Sequence, residues 1–401
     1  MNESFSIKQT LFHSFIFLIL ASMLLCGSPL VVSAAPPVID LQADGRDGPV
    51  GFDALANFNL EWSAENMEPV TIGSELIGDW MGSELGGVDV GVWSDYATVV
   101  GNEECRNISV FDITDRTNPT LIDHADGSCN DVNVLIQLGT YSIMIGGTEY
   151  EIWKWHLPED WWYPTPYQLY AYSSLTLPDY ANDALLSTST QYTFVVGEEN
   201  FTVLYTAMLH SPSVATTLSL PGPGYGIALS ESGKYAYVSG EGFLAVIDVG
   251  DPNNPEQVSL IEIPSEVPDI ALYGNNVVIT GDGTLLSYNV ADPENLFFDG
   301  YVEISAGFGS KVVVQDNRAY VTNLFDPGLE IIDLSSTEMH RVSGAGLSDI
   351  TSAIEFVDGD EYAYVVSGSV EEGVLNSLVI LDVSSACVAG GDNWTGEKAS
   401  V

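Results

Sequence analysis

KYAYVSGEGFLAVIDVGDPNNP, residues 234–255, decides the fold. Two apolar runs flank a tight acidic turn, Gly240-Glu241-Gly242, and a Pro/Asn cluster closes the stretch. Short β-branched and aromatic runs bounded by such turns read as strands. The same grammar recurs along the chain. A Tyr-Ala-like anchor opens the first run at Tyr96, Tyr141, Tyr192, Tyr235, Asn276, Arg318 and Tyr362, at intervals of 41 to 51 residues. A period of this size with several short strands points to a propeller, whose units stack to bury both faces of each sheet. The expectation is an all-β, seven-bladed β-propeller of four-stranded blades.

Strand roles follow from the pattern. A short apolar segment ahead of each anchor, such as Asp131–Val134 or Asp269–Leu272, is expected to line the axis. The anchor strand is second, as in Tyr235–Ser239 and Tyr362–Val366. The third is the most apolar (Leu244–Val249, Leu329–Leu334, Leu378–Val383), which fits strands covered on both faces. The outer strand is weaker, as in Gln257–Ile263. The third strand ends on Asp112, Asp248, Asp333 or Asp382. Asp-Pro or Asn-Pro turns accompany this strand end, as at Asp251-Pro252 and Asn118-Pro119. Asp and Asn bond nearby backbone N–H groups and Pro presets φ, so these read as turn formers rather than catalytic acids.

The segment FLAVIDVGDPNNP resembles the LVIVD repeat of bacterial and archaeal surface proteins. Residues 108–119, 243–255, 285–293, 328–335 and 377–384 carry the pattern well, and 150–158 and 201–208 have drifted from it. The resemblance covers 70–386 and implies a β-propeller in a surface setting, without an assigned activity.

The chain ends read differently. Residues 1–35 hold Lys8, an apolar run from Leu11 to Leu25, and small residues at Ser33, Ala34 and Ala35, the pattern of a secretory signal peptide, with an uncleaved signal anchor as the alternative. The expected location is therefore secreted or cell-surface. No later segment is apolar enough for long enough to span a membrane. A spare strand at 70–77 is expected to complete the last blade, which lacks an outer strand after Asp382. Residues 36–69 and the tail 387–401 resemble two parts of a split bacterial immunoglobulin-like module: Leu60–Ser63 (LEWS) would join Cys387 and Trp394–Gly396. An irregular arm and a frayed tail are the alternative. Export permits disulfides; Cys105 and Cys129 lie in one repeat and are candidates to pair, leaving Cys387 odd.

Charge excludes some functions. With 56 acidic and 10 basic residues the net charge is −46, which repels nucleic acid and anionic membranes. The 46% hydrophobic content argues against disorder. Adaptation to salt, cation binding, or both remain as readings of the acidity. Inner-strand entries carry Asp89, Asp131, Asp183 and Asp269, and the second-to-third turns carry Glu149, Glu198, Glu199, Glu241 and Asp282, among others. One face of the ring is thus expected to be acidic, and these four Asp are the candidate oxygen ligands for Ca²⁺. In the second unit, Trp153, Trp155, Trp161, Trp162 and Tyr163 form a candidate aromatic binding hairpin for a protein or glycan partner, or a small core under a long loop. Motifs of serine hydrolases, zinc proteases and P-loops are absent. The leading reading is a non-catalytic scaffold that binds a protein, glycan or cation by its acidic face or the aromatic hairpin. The alternative is a Ca²⁺-dependent hydrolase or lyase on surface or environmental polysaccharide.

Overall fold

The computed structural model describes residues 75–81, 87–101, 107–127, 131–156, 168–264, 269–323, 328–335, 339–346, 350–357, 362–368 and 377–383. The immunoglobulin-like termini, the signal segment, both candidate disulfide partners and Trp161, Trp162 and Tyr163 lie outside them. The chain divides at Ile72/Gly73, and everything described belongs to the second unit. No helix among the described residues is long and apolar enough to cross a membrane.

The described chain is all β. β1 (Glu75–Met81) precedes a four-stranded sheet of β2 (Gly87–Trp93), β3 (Tyr96–Gly101), β4 (Asn107–Asp112) and β5 (Thr120–Asp126). A six-stranded sheet follows: β6 (Val134–Leu138), β7 (Tyr141–Lys154), β8 (Tyr170–Leu186), β9 (Tyr192–Gly197), β10 (Asn200–Tyr205) and β11 (Ser213–Ser219). Four strands come next: β12 (Gly224–Leu229), β13 (Tyr235–Gly240), β14 (Phe243–Asp248) and β15 (Glu256–Glu262). A second six-stranded sheet holds β16 (Ile270–Tyr273), β17 (Asn276–Asn289), β18 (Phe297–Gln315), β19 (Arg318–Asn323), β20 (Gly328–Asp333) and β21 (His340–Gly346). The last sheet combines β22 (Ile350–Phe356), β23 (Tyr362–Gly368) and β24 (Ser377–Asp382) with β1. Every anchor residue opens its strand, and β13, β14 and β15 lie within one residue of the expected Tyr235–Ser239, Leu244–Val249 and Gln257–Ile263. The inner strand of the second unit is β6, which begins only at Val134, the last residue of the segment expected.

The expected seven separate four-stranded blades do not form. Hydrogen bonding gives five sheets, of four, six, four, six and four strands. The difference arises at two glycines. β7 runs through Gly147 (φ 54°) and β17 through Gly283 (φ 66°), where turns were expected to end the strand. β8 and β18 then pass from an outer position in one unit to an inner position in the next. In β8, residues up to Thr176 pair with β7 and residues from Asp183 pair with β9, while Ala181 faces both Gly147 and Gly197. Pro178, which has no N–H to give a ladder, sits between the two paired stretches.

The innermost strands contact one another in a closed circuit: β2, β6, the second half of β8, β12, β16, the second half of β18, β22, and back to β2. The fold is a β-propeller. Clusters of buried apolar side chains fill the spaces between consecutive units. Phe194, Phe201, Val238 and Ile247 form one of them, and Val99, Phe111, Tyr364 and Ile380 form the one where the ring closes. Closure has two further bonds. β1 pairs antiparallel with β24 from Glu75↔Asp382 to Met81↔Ser377, so an N-terminal strand does lie beside β24 and runs on to Met81, past the expected end at 77, while 70–74 lie outside the described residues. Arg116 Nε donates to Tyr364 Oη at 3.0 Å, and its guanidinium lies 5.0 Å over the Tyr362 ring.

The strand-closing acids act as turn formers. Asp112, Asp248 and Asp333 each accept the backbone N–H two residues on, at 2.9, 2.8 and 2.7 Å. Asp251 and Asp292 repeat this at the Pro turns, accepting from Asn253 and Glu294.

Candidate functional site

The inner strands meet the axis at a recurrent β-bulge. Register shifts fall between Gly87 and Asp89, Ala181 and Asp183, Gly224 and Gly226, Gly309 and Lys311, and Thr351 and Ala353. A bulge leaves backbone groups outside the ladder and re-aims a side chain. At three of them the residue after the shift is charged, Asp89, Asp183 or Lys311; at the other two it is Gly226 or Ala353, and Asp269 stands just ahead of β16, whose pairing has no shift. Asp89 accepts the N–H of Val90 at 3.0 Å and, with its other oxygen, the N–H of Leu135 in β6 at 2.8 Å. Asp183 accepts from Ala184 at 2.8 Å and from Ile227 in β12 at 2.9 Å. Asp269 accepts from Val312 in β18 at 2.7 Å. Each carboxylate stitches its own inner strand to the next, where neighbouring units splay apart and no ladder bond reaches. Charge-assisted bonds of this kind are stronger than neutral ones. Neutral side chains complete the stitching: Asn133 donates to Ala181 O at 2.7 Å, Asn182 to Gly224 O at 2.9 Å and Ser352 to Gly87 O at 3.2 Å.

The Lys311 ammonium lies 3.0 Å from Asp89 Oδ1 and also feels the charges of Asp183 and Asp269. Three of the four expected Ca²⁺ ligands therefore converge, but on an ammonium. Among the described residues no group of three or more His, Cys, Asp or Glu has the arrangement to hold a metal ion. The fourth, Asp131, stands apart: it is exposed, and its carboxylate accepts the Tyr180 hydroxyl at 3.3 Å.

Burial governs the electrostatics of the cluster. Asp183 and Asp269 are half-buried among the inner strands. Burial, then the charge of Asp269, push the Asp183 carboxyl up to about 7, against the opposing pull of Lys311. Burial raises Asp269 as well, with Lys311 again opposing. For Lys311 burial works against the charged form, but the attraction of Asp89, Asp183 and Asp269 outweighs it and leaves the ammonium more firmly protonated than an ordinary lysine. Lys311 was missing from the candidates drawn from sequence. Its signal was there: it occupies the inner-strand position that holds Asp89 and Asp183 in other units.

A second set of acids is mostly exposed. Asp131, Glu199 and Glu241 are exposed, and Glu198 is half-buried and accepts from Asn182 Nδ2 at 3.2 Å. Tyr180 and Tyr225 stand among them. Burial and then Asp131 raise the Tyr180 hydroxyl, and burial followed by Glu198 and Glu241 raises that of Tyr225.

The described part of the aromatic hairpin is core. Trp153 is 8% exposed and Trp155 1%, both packed with Val100, Ile108, Val110 and Leu135 between the first two units. The Trp155 ring meets Tyr96 edge-on at 4.9 Å. The structure also shows a Ser–His–Asp line that sequence reading passed over. Ser109 Oγ is 2.9 Å from His124 Nδ1, and His124 Nε2 is 3.4 Å from Asp126. Ser109 is only 1% exposed and directly opposes His124 across β4 and β5, so its oxygen has no approach for a substrate.

Residues 223–261 match the LVIVD repeat family. The chain carries an LVIVD repeat. The matched stretch contains β12, β13 and β14 and nearly all of β15, the sheet that includes the opening sequence. Among solved structures, the β-propeller domain of Cps50 (Swd1) from Myceliophteria thermophila is similar, with a TM-score of 0.58 and 12% identity over 77% of this chain and 99% of that one. A functionally unknown protein from Desulfotomaculum acetoxidans DSM 771 is similar with a TM-score of 0.53 and 12% identity, covering 65% of this chain and 86% of its own. At such identity these likenesses establish the propeller fold alone. The search of curated proteins finds no significant match.

Proposed function

We propose that the protein is a non-catalytic, secreted or cell-surface β-propeller scaffold that binds a cationic partner through the acidic mouth of its ring. The observation that carries this reading is a division of labour among the acids. Asp89, Asp183 and Asp269 are used internally, accepting backbone N–H groups and facing Lys311. Asp131, Glu199 and Glu241 are exposed, with Asp131 beside Tyr180, which is 38% exposed, and Glu241 acting on Tyr225. Exposed carboxylates focus a negative field, and tyrosine faces attract cations.

The test is calorimetry with a Lys/Arg-rich peptide and, separately, with Ca²⁺. The expected result is binding of the peptide that weakens about tenfold in the combined Asp131→Asn, Glu198→Gln, Glu241→Gln variant and falls with added salt. No heat with either probe at low salt overturns the reading.

The two raised carboxyls favour one rival, a Ca²⁺-dependent hydrolase or lyase on polysaccharide, because an acid poised near neutrality suits proton transfer. Against it, Asp89, Asp183 and Asp269 face the Lys311 ammonium, and among the described residues no group of three or more His, Cys, Asp or Glu is arranged to hold a metal ion. Release of new sugar ends by the native chain with Ca²⁺, lost on Asp183→Asn, would establish the rival.

A further inference from the structure

The axial cluster holds more negative charge than Lys311 can balance. β2 contributes Asp89, β8 Asp183, the entry to β16 Asp269, and β18 Lys311. Elsewhere on the circuit β6 has no titratable residue; β12 has Tyr225, β16 also has Tyr273, and β22 has Glu355 two positions past Ala353. When all three aspartates ionise, one ammonium faces three carboxylates. None of the three is free to swing out to bulk water, because each is pinned to the backbone of the following inner strand, at 2.8, 2.9 and 2.7 Å. Lys311 itself leans to one side, 3.0 Å from Asp89.

We infer that the Asp89–Asp183–Asp269–Lys311 cluster is a proton-operated clasp at the ring axis: a proton taken up by the crowded, pinned carboxylates relieves their mutual repulsion, which outweighs the charge-assisted character that one backbone bond gives up, and so steadies the inner strands. One proton on the Asp183–Asp269 pair removes the repulsion between them and leaves Lys311 facing two carboxylates instead of three. The upward displacement of Asp183, from burial first and Asp269 second, agrees with this geometry. The sign follows from linkage. Asp183 binds its proton more strongly folded than unfolded, so its contribution to stability is complete below about pH 4 and is lost as pH rises through about 7.

The experiment uses the full chain in high salt, which screens the surface charge, between about pH 5 and about pH 9. Thermal unfolding and the infrared band of a protonated carboxyl are followed together in the native chain and in Asp183→Asn, Asp269→Asn and Lys311→Met. The expected native behaviour is a protonated-carboxyl band that disappears with a midpoint near 7, while the melting temperature falls over the same range. Asp183→Asn should abolish the band and most of that fall. Asp269→Asn should lower the midpoint by roughly one pH unit, and Lys311→Met should raise it by a similar amount. Should Lys311→Met not fold, Asp269→Asn decides alone. A native chain without the band above about pH 5, or a gap in melting temperature between native and Asp183→Asn that stays constant with pH, overturns the inference.

Discussion

Single residues decide how closely the strands approach. A glycine stands five residues past the anchor at Gly101, Gly146, Gly197, Gly240 and Gly281. The reason is visible at Gly197, where an added Cβ would lie 2.3 Å from the Tyr180 carbonyl oxygen, and at Gly146, where it would lie 2.5 Å from that of Asp131. In both cases the chain entering an inner strand crosses directly over the glycine. Backbone cannot give way as a flexible side chain can. Gly197→Ala is therefore expected to lower stability by about 1–3 kcal/mol, measured as a fall in the urea midpoint with unchanged slope. The recurrent glycine was legible as a repeat in the sequence; what it makes room for was not.

Elements are held by edges as much as by faces. β24 is among the most apolar strands, with Leu378, Ile380 and Leu381 buried. Its ladder partners are β23 on one side and β1 on the other. Without β1 the outer N–H and C=O groups of β24 become an open template for another chain. A chain beginning at residue 87 is expected to melt earlier than the full chain and to form concentration-dependent aggregates, read by light scattering. An unchanged monomer at high concentration would show that β1 adds nothing to closure. That a strand from the N-terminal side would serve here was readable from the missing outer strand after Asp382. Its exact bounds were not, because β1 competes on pairing register and not on local pattern. The six-stranded sheets were unreadable for the same reason: Gly147 and Gly283 look like turn residues, and only the partners of β7 and β17 keep the strands running.

At the scale of the molecule, charge is the dominant variable. A net charge of −46 on 401 residues repels itself, and compactness is favoured when ions screen it. The melting temperature should rise steadily with sodium chloride from low salt to molar concentrations, and a chain equally stable throughout would contradict that view. The salt response belongs to the surface and should persist in Asp183→Asn, whereas the pH response assigned to the axial clasp should not.

The sequence by itself determined the all-β class, the repeat, the order of strand roles and the turn duty of Asp112, Asp248 and Asp333. These depend on neighbours a few residues away, so a periodic pattern records them. Tertiary structure alone decided that Trp153 and Trp155 face a core, that the acids divide into an inner and an outer set, and that Asp89, Asp183 and Asp269 meet one lysine. These residues come from different units. Only the closing of the ring brings their charges within reach of one another, and only burial there makes the encounter strong.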